Sequence, residues 1–122
     1  MSIIETRAEL AAALEPIGVT VYSHAPERFT PPAALVVHGS PLMEAGDSFG
    51  SRTLRFEVWV VSKLGANARM TTDLDELIDS TLDALAADSW TVENVSQPFD
   101  FAVNAATYLS ATITVSTNVS TN

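Results

Sequence analysis

The sequence predicts an α+β domain: a mostly antiparallel sheet of about five strands with two helices packed on one face, in the order α-β-β-β-α-β-β. Three observations lead there. Two long runs, Arg52–Val61 and Tyr108–Val119, alternate apolar and polar residues with the two-residue period of a strand. An acidic segment between them, Asp73–Ala87, repeats Leu74, Leu77, Ile78, Leu82 and Leu85 at helical spacing. A chain of 122 residues with 47% apolar content is one domain, residues 1–122, able to bury a single core without disulfides or metals.

Each element follows from local signals. Ser2 and Glu5 form a capping box, which satisfies two of the amides left unpaired at a helix start. Ile3, Ile4, Ala8, Ala11 and Leu14 recur at helical spacing, and Pro16 and Gly18 stop the helix. Val19 and Val21 alternate with Thr20 and Tyr22 as a half-buried strand. Pro26, Pro31 and Pro32 stiffen a loop, and Ala33–Val37 is a short apolar strand. Gly39–Gly50, rich in turn formers, is expected to be an extended loop or hairpin tip.

In Arg52–Val61 the residues Leu54, Phe56, Val58 and Val60 share the core face. Thr53, Arg55, Glu57, Trp59 and Val61 share the other. Lys63–Thr71 is expected to be a loop, with Thr72 capping the second helix and Asp73, Asp75 and Glu76 in its first turn, where the helix dipole favours anions. Trp90–Val95 makes a short strand, Pro98 a break, and Ala105–Val119 a long one with Leu109, Ala111, Ile113 and Val115 inward. These long strands exceed the usual five or six residues, so their ends are expected to run past the core. The chain closes on a repeated tetrapeptide, Val115-Ser116-Thr117-Asn118 and Val119-Ser120-Thr121-Asn122, held either by its own sheet or by a neighbour.

Composition narrows the function. Fifteen acids against six Lys and Arg give a formal charge of −9, and the cations are scattered, which argues against a grip on nucleic acid. An acidic surface still suits the wall of a passage through which DNA slides. The absence of cysteine fits a reducing compartment. No signal peptide is visible, and no stretch approaches the roughly 20 apolar residues of a membrane span, so the expectation is a protein made in the cytoplasm and not bound to a membrane.

Reactive motifs are thin. Gly46-Asp47-Ser48-Phe49-Gly50 matches a nucleophile elbow, but a strand follows it where that motif needs a helix, and both His24 and His38 precede the serine. Asp73, Asp75, Glu76 and Asp79 lie on a helix with no glycine among them, unlike a calcium loop. The two histidines lack the further ligands that zinc needs. No catalytic residue, metal or cofactor is therefore expected. The candidate functional residues are those suited to a partner or a neighbouring subunit: Pro41, Leu42, Met43 and Phe49 in the glycine-bounded loop, Trp59 on the outer face of its strand, and Asn118 and Val119 in the tail.

Taken over its full length, the chain resembles the tail terminator (tail completion, or minor tail) proteins of long-tailed bacteriophages. The likeness rests on the opening Met1–Leu10, on Gly18-Val19-Thr20-Val21-Tyr22 with the proline-rich loop after it, and on the strand Leu54–Val61. The helix Asp73–Ala87 and the ending Tyr108–Val115 complete it. The resemblance implies a structural virion protein, assembled in the host cytoplasm, that forms a six-fold ring at the head-proximal end of the tail. Such a ring ends polymerisation of the tail tube and joins the head. Its partners would be other copies of itself, the tail tube protein and the head-completion or connector protein, with DNA passing the lumen unbound. Another neck, head-completion or tail-tube component, or a cellular adaptor module, are the alternatives.

Overall fold

In the computed structural model of the protein, the described residues are 3–24, 26–46, 50–63, 67–103 and 106–120. Helix α1 spans Ile3–Ala13, and a single 3-10 turn, Glu15–Ile17, follows it. Gly18 ends that turn in the left-handed region, with φ at 81°, and its amide donates to the Glu15 carbonyl. Strands β1 (Thr20–Tyr22), β2 (Ala33–Ala45) and β3 (Ser51–Val61) come next, then helix α2 (Asn67–Ala87). Strands β4 (Thr91–Val95), β5 (Phe99–Val103) and β6 (Ala106–Ser120) complete the chain.

The fold is α+β, and the sheet has six strands in the order β1-β2-β3-β6-β4, with β5 also on β6. All ladders are antiparallel except β1 with β2. The long strands do what their alternation predicts. Leu54, Phe56, Val58 and Val60 of β3 are fully buried on one face, beside Ala111, Ile113 and Val115 of β6. Leu10 and Leu14 from the first helical segment and Leu74, Leu77 and Leu85 from α2 join the same core, so both helices cover that one face.

The other face carries a second, smaller core. The segment after β1 crosses this face and buries Phe29 against Ala33, Leu35 and Val61. The rings of Phe29 and Phe101 meet edge-on with centroids 5.7 Å apart, and Trp59 meets Phe99 and Phe101 in the same way at 5.5 and 5.8 Å. Edge-to-face pairs set the positive rim of one ring against the negative face of the other.

Several sequence-based expectations are corrected. Gly39–Ala45 is strand rather than loop, with β2 continuing to Ala45 through a cis Ser40–Pro41 bond; the hairpin to β3 comes after it, where the Gly46 amide donates to the Ser51 carbonyl at 3.1 Å. The strand continues by bulging. His38 pairs with Phe56 and Met43 with Leu54, so five steps on β2 answer two on β3. Helix α2 begins at Asn67, so Thr72 is inside it and donates its hydroxyl to the Ala68 carbonyl at 3.1 Å. Ala68, Arg69 and Met70 are strong helix formers, and Arg69 pairs with Asp73 one turn on at 3.2 Å. The acids of α2 therefore sit past its first turn. On α1 the buried positions are Thr6 and Leu10, while Ile4 is 80% exposed.

The strand Phe99–Val103 adds a sixth to the predicted five. The tail is held by its own sheet as far as Ser120, which pairs with Ser51. Ser2, Ser48, Phe49, Thr121 and Asn122 lie outside the described residues. Among the described residues no helix is long and apolar enough to cross a membrane.

Candidate functional site

The register gathers most of the candidate interface residues at one end of the sheet. Met43 lies opposite Leu54, Glu44 opposite Thr53 and Ala45 opposite Arg52, while Thr53 and Arg52 face Asn118 and Val119 of β6. Pro41 is exposed and Leu42 half-buried against the main core. Met43 is 42% exposed. Asn118 is exposed and accepts a hydrogen bond from the Thr53 hydroxyl at 2.9 Å. Val119 points inward and is 7% exposed. Trp59 lies apart from this group, opposite Leu35 and Thr112. It is half-buried in the second core, and its indole N–H donates to Glu57 Oε1 at 3.1 Å. Phe49, the remaining candidate, falls outside the described residues.

The most developed polar constellation was not among those candidates. Arg55 of β3 holds one carboxylate from the neighbouring β2, Glu44, and one from β4 on the far side of β6, Glu93. Its Nε and Nη2 donate to the two oxygens of Glu93 at 2.7 and 3.0 Å. The same Nη2 reaches Glu44 Oε1 at 2.8 Å, and Nη1 donates to the Pro41 carbonyl at 3.1 Å. A planar guanidinium is suited to this, since its fork can serve several acceptors in fixed geometry. The Arg55 side chain is 13% exposed, against 50% for Glu44 and 29% for Glu93.

Both contacts fall on irregular backbone. Pro41 is inside the β2 bulge. Glu93 is the extra residue on β4, where Val92 pairs with Val115 and Asn94 with the adjacent Thr114. One side chain thus ties together the bulges of two strands that are separated by β3 and β6. In the sequence Arg55 is one of several scattered cations, and nothing in its spacing links it to Glu44 or Glu93.

The cluster has a definite electrostatic state. Hydrogen bonds donated to Glu93 first, and then to Glu44, hold the Arg55 guanidinium charged well beyond its ordinary range. The Arg55 hydrogen bond pulls the Glu93 carboxyl below its ordinary value; partial burial opposes this, and the Ser116 hydroxyl adds to it. A carboxyl with a depressed folded-state pKa contributes stability that is fully present above its unfolded value, about 4.3. That contribution is lost as pH falls through the folded value. Acid titration of the native protein is accordingly expected to weaken the clamp below about pH 4, and Glu93→Gln should flatten that limb of the stability curve. Urea unfolding of both proteins between neutral and acidic pH measures it; parallel curves for the two would refute the assignment.

Other clusters hold the fold together. Arg7 of α1 donates to His38 Nε2 and, at 3.0 Å, to the Ser23 carbonyl, with its guanidinium 5.6 Å from the centre of the Phe56 ring. His24 Nδ1 is 3.2 Å from the Ser23 hydroxyl. Among the described residues no group of three or more His, Asp or Glu is arranged to hold a metal ion.

A cavity of about 230 Å³ lies between the 3-10 turn, the end of β3 and α2, lined by Ser62, Lys63, Asp73 and Glu76 among others. The Ser62 hydroxyl is taken up by the Leu109 carbonyl at 3.2 Å. The acids Asp75, Glu76, Asp79 and Asp83 stand exposed along α2. The surface so defined is that of an α+β protein with two packed cores and an acidic helix. No protein-family model matches the chain, and no curated protein matches it.

Proposed function

We propose that this chain is a structural subunit of a long-tailed bacteriophage virion, of the tail-terminator type. Copies would form a ring, six-fold by the resemblance, at the head-proximal end of the tail, where it ends growth of the tube and offers a joining surface to the head. The observation that carries the reading is the order of the elements: helix, strands, helix, strands, with both helices on one face of a mostly antiparallel sheet. The sequence resemblance rests on that same order. The surface chemistry fits it. The exposed acids of α2 would line or flank a passage to which DNA does not adhere. Pro41, Met43 and Asn118 are exposed at one end of the sheet, where a neighbouring subunit or the tube protein would meet the strand ends.

The test is assembly. Negative-stain microscopy of the purified protein mixed with isolated tail tubes, over a concentration series, should reveal rings or caps on tube ends. Tubes that reach their normal fixed length without the chain, or a protein that never binds a tube end, would overturn the proposal.

A further inference from the structure

The two outer strands of the sheet pose a problem that the Arg55 cluster answers. Among the described residues β1 pairs only with Ala33, Ala34 and Leu35, so β2 from Val36 to Ala45 has no strand on its outer side, and neither has β4. Open edges are templates on which another chain can add a strand, and proteins blunt them with bulges, prolines and edge charges. Here β4 contains no lysine or arginine and has Val95, 37% exposed, at its end. Beyond His38, β2 carries Met43, 42% exposed. Each edge is interrupted by a bulge, at Gly39–Leu42 on β2, which includes Pro41, and at Glu93 on β4, while the one carboxylate on each stretch, Glu44 and Glu93, is paired with Arg55. Both bulges are bonded to the same guanidinium.

We propose that Arg55 is the guard of both sheet edges: by pinning the two bulges it prevents a second copy of this chain from adding to β2 or β4. A second copy is the relevant occupant because it brings the same two open edges. Edge-to-edge contact also keeps the acidic outer faces of α2 apart, which a protein with a charge of −9 favours over contact through its helices. The inference concerns strand addition alone: a neighbouring subunit that meets Pro41 and Met43 through their side chains, as in the phage reading, is not what Arg55 withholds. Releasing the guard is a matter of charge and geometry. Removing the guanidinium frees the Pro41 carbonyl and Glu93 together, while a lysine in its place keeps the charge but cannot span both acceptors.

The test compares the parent protein with Arg55→Met and Arg55→Lys at neutral pH. Sedimentation reads self-association, and hydrogen exchange reads the amides of Val36–Ala45 and Thr91–Val95. Both variants are expected to associate at concentrations lower than the parent by about tenfold or more, with those edge amides newly protected. A lysine is then placed on each open edge by Met43→Lys together with Val95→Lys in the Arg55→Met background. It should return association to the parent's level, which repair of a general folding defect would not do.

Four results would overturn the proposal. One is a folded Arg55→Lys protein that associates like the parent. A second is association with the edge amides still unprotected, and a third is association that survives Met43→Lys together with Val95→Lys. The last is association that appears only with loss of the near-ultraviolet signal of Trp59 and Trp90, since that is aggregation of unfolded chain.

Discussion

Replacing Phe56 by alanine is expected to lower the stability of the folded chain by about 3–5 kcal/mol. Phe56 is fully buried and is the largest side chain so placed. Its neighbours across the ladders are His38 and Val115, and it faces the layer formed by the helices. Truncation removes the transfer free energy of the ring and leaves a hole. Rigid strands on both sides cannot collapse into that hole, so the cavity cost is added to the transfer cost. The ring is also the surface on which the Arg7 guanidinium rests, a contact worth about 0.5–1 kcal/mol where water has partial access.

Against a total stability of roughly 5–15 kcal/mol for a domain of this kind, that loss is a large share. Urea unfolding should show a lower midpoint with an unchanged slope, the mark of lost stability without a change in the denatured state. Phe56→Leu keeps most of the volume and should cost less than about 1.5 kcal/mol. Equal losses for the two substitutions would mean that packing at this position is not what the ring supplies.

What the sequence disclosed follows from how local each cause is. The faces of β3 and β6 were legible because burial on one side imposes a two-residue period that no long-range contact alters, and every inward residue named for β3 is fully buried. The leucine stripe of α2 was legible for the same reason, at helical spacing. The start of α2 was not: Thr72 looks like a cap, and only the continuous helix from Asn67 shows that Ala68, Arg69 and Met70 outweigh that signal. The alternation of Phe99 and Phe101 about Asp100 was present in the chain, but a strand of five residues, Phe99–Val103, is too short to stand out.

The remaining features depend on partners far apart in the chain. Phe29 becomes core only because Phe101 and Trp59 are brought beneath the loop that carries it. Arg55 becomes a hub only because the register sets Glu44 and Glu93 on either side of it. Of the interface candidates, Pro41, Met43 and Asn118 are exposed at one end of the sheet. Val119 and Trp59 are drawn into the two cores, for the apolar surface that made them candidates also suits them to burial.

The β2 bulge explains why Gly39 is expected to be the least replaceable glycine. A Cβ built there would lie 2.6 Å from the Arg55 carbonyl oxygen and 2.7 Å from its carbonyl carbon, closer than side chains approach backbone. Backbone of a central strand cannot step aside as a flexible side chain can. Gly39→Ala must therefore either part β2 from β3 or move the bulge, and each disturbs the carbonyl of Pro41 that Arg55 holds. A cost of about 2–3 kcal/mol is expected, together with faster hydrogen exchange where the β2–β3 ladder flanks the bulge, at His38 and at Met43.

Gly18→Ala isolates the other reason a glycine is needed. Its φ is 81° but nothing lies within 4 Å of the added carbon, so only the left-handed backbone is penalised, by about 1–2 kcal/mol. Its exchange effect should stay near the 3-10 turn and β1. A Gly39→Ala protein with the parent's stability and an undisturbed β2–β3 ladder would mean that the bulge yields freely. Arg55 would then have nothing rigid to hold on that edge, and the guard would fail with it.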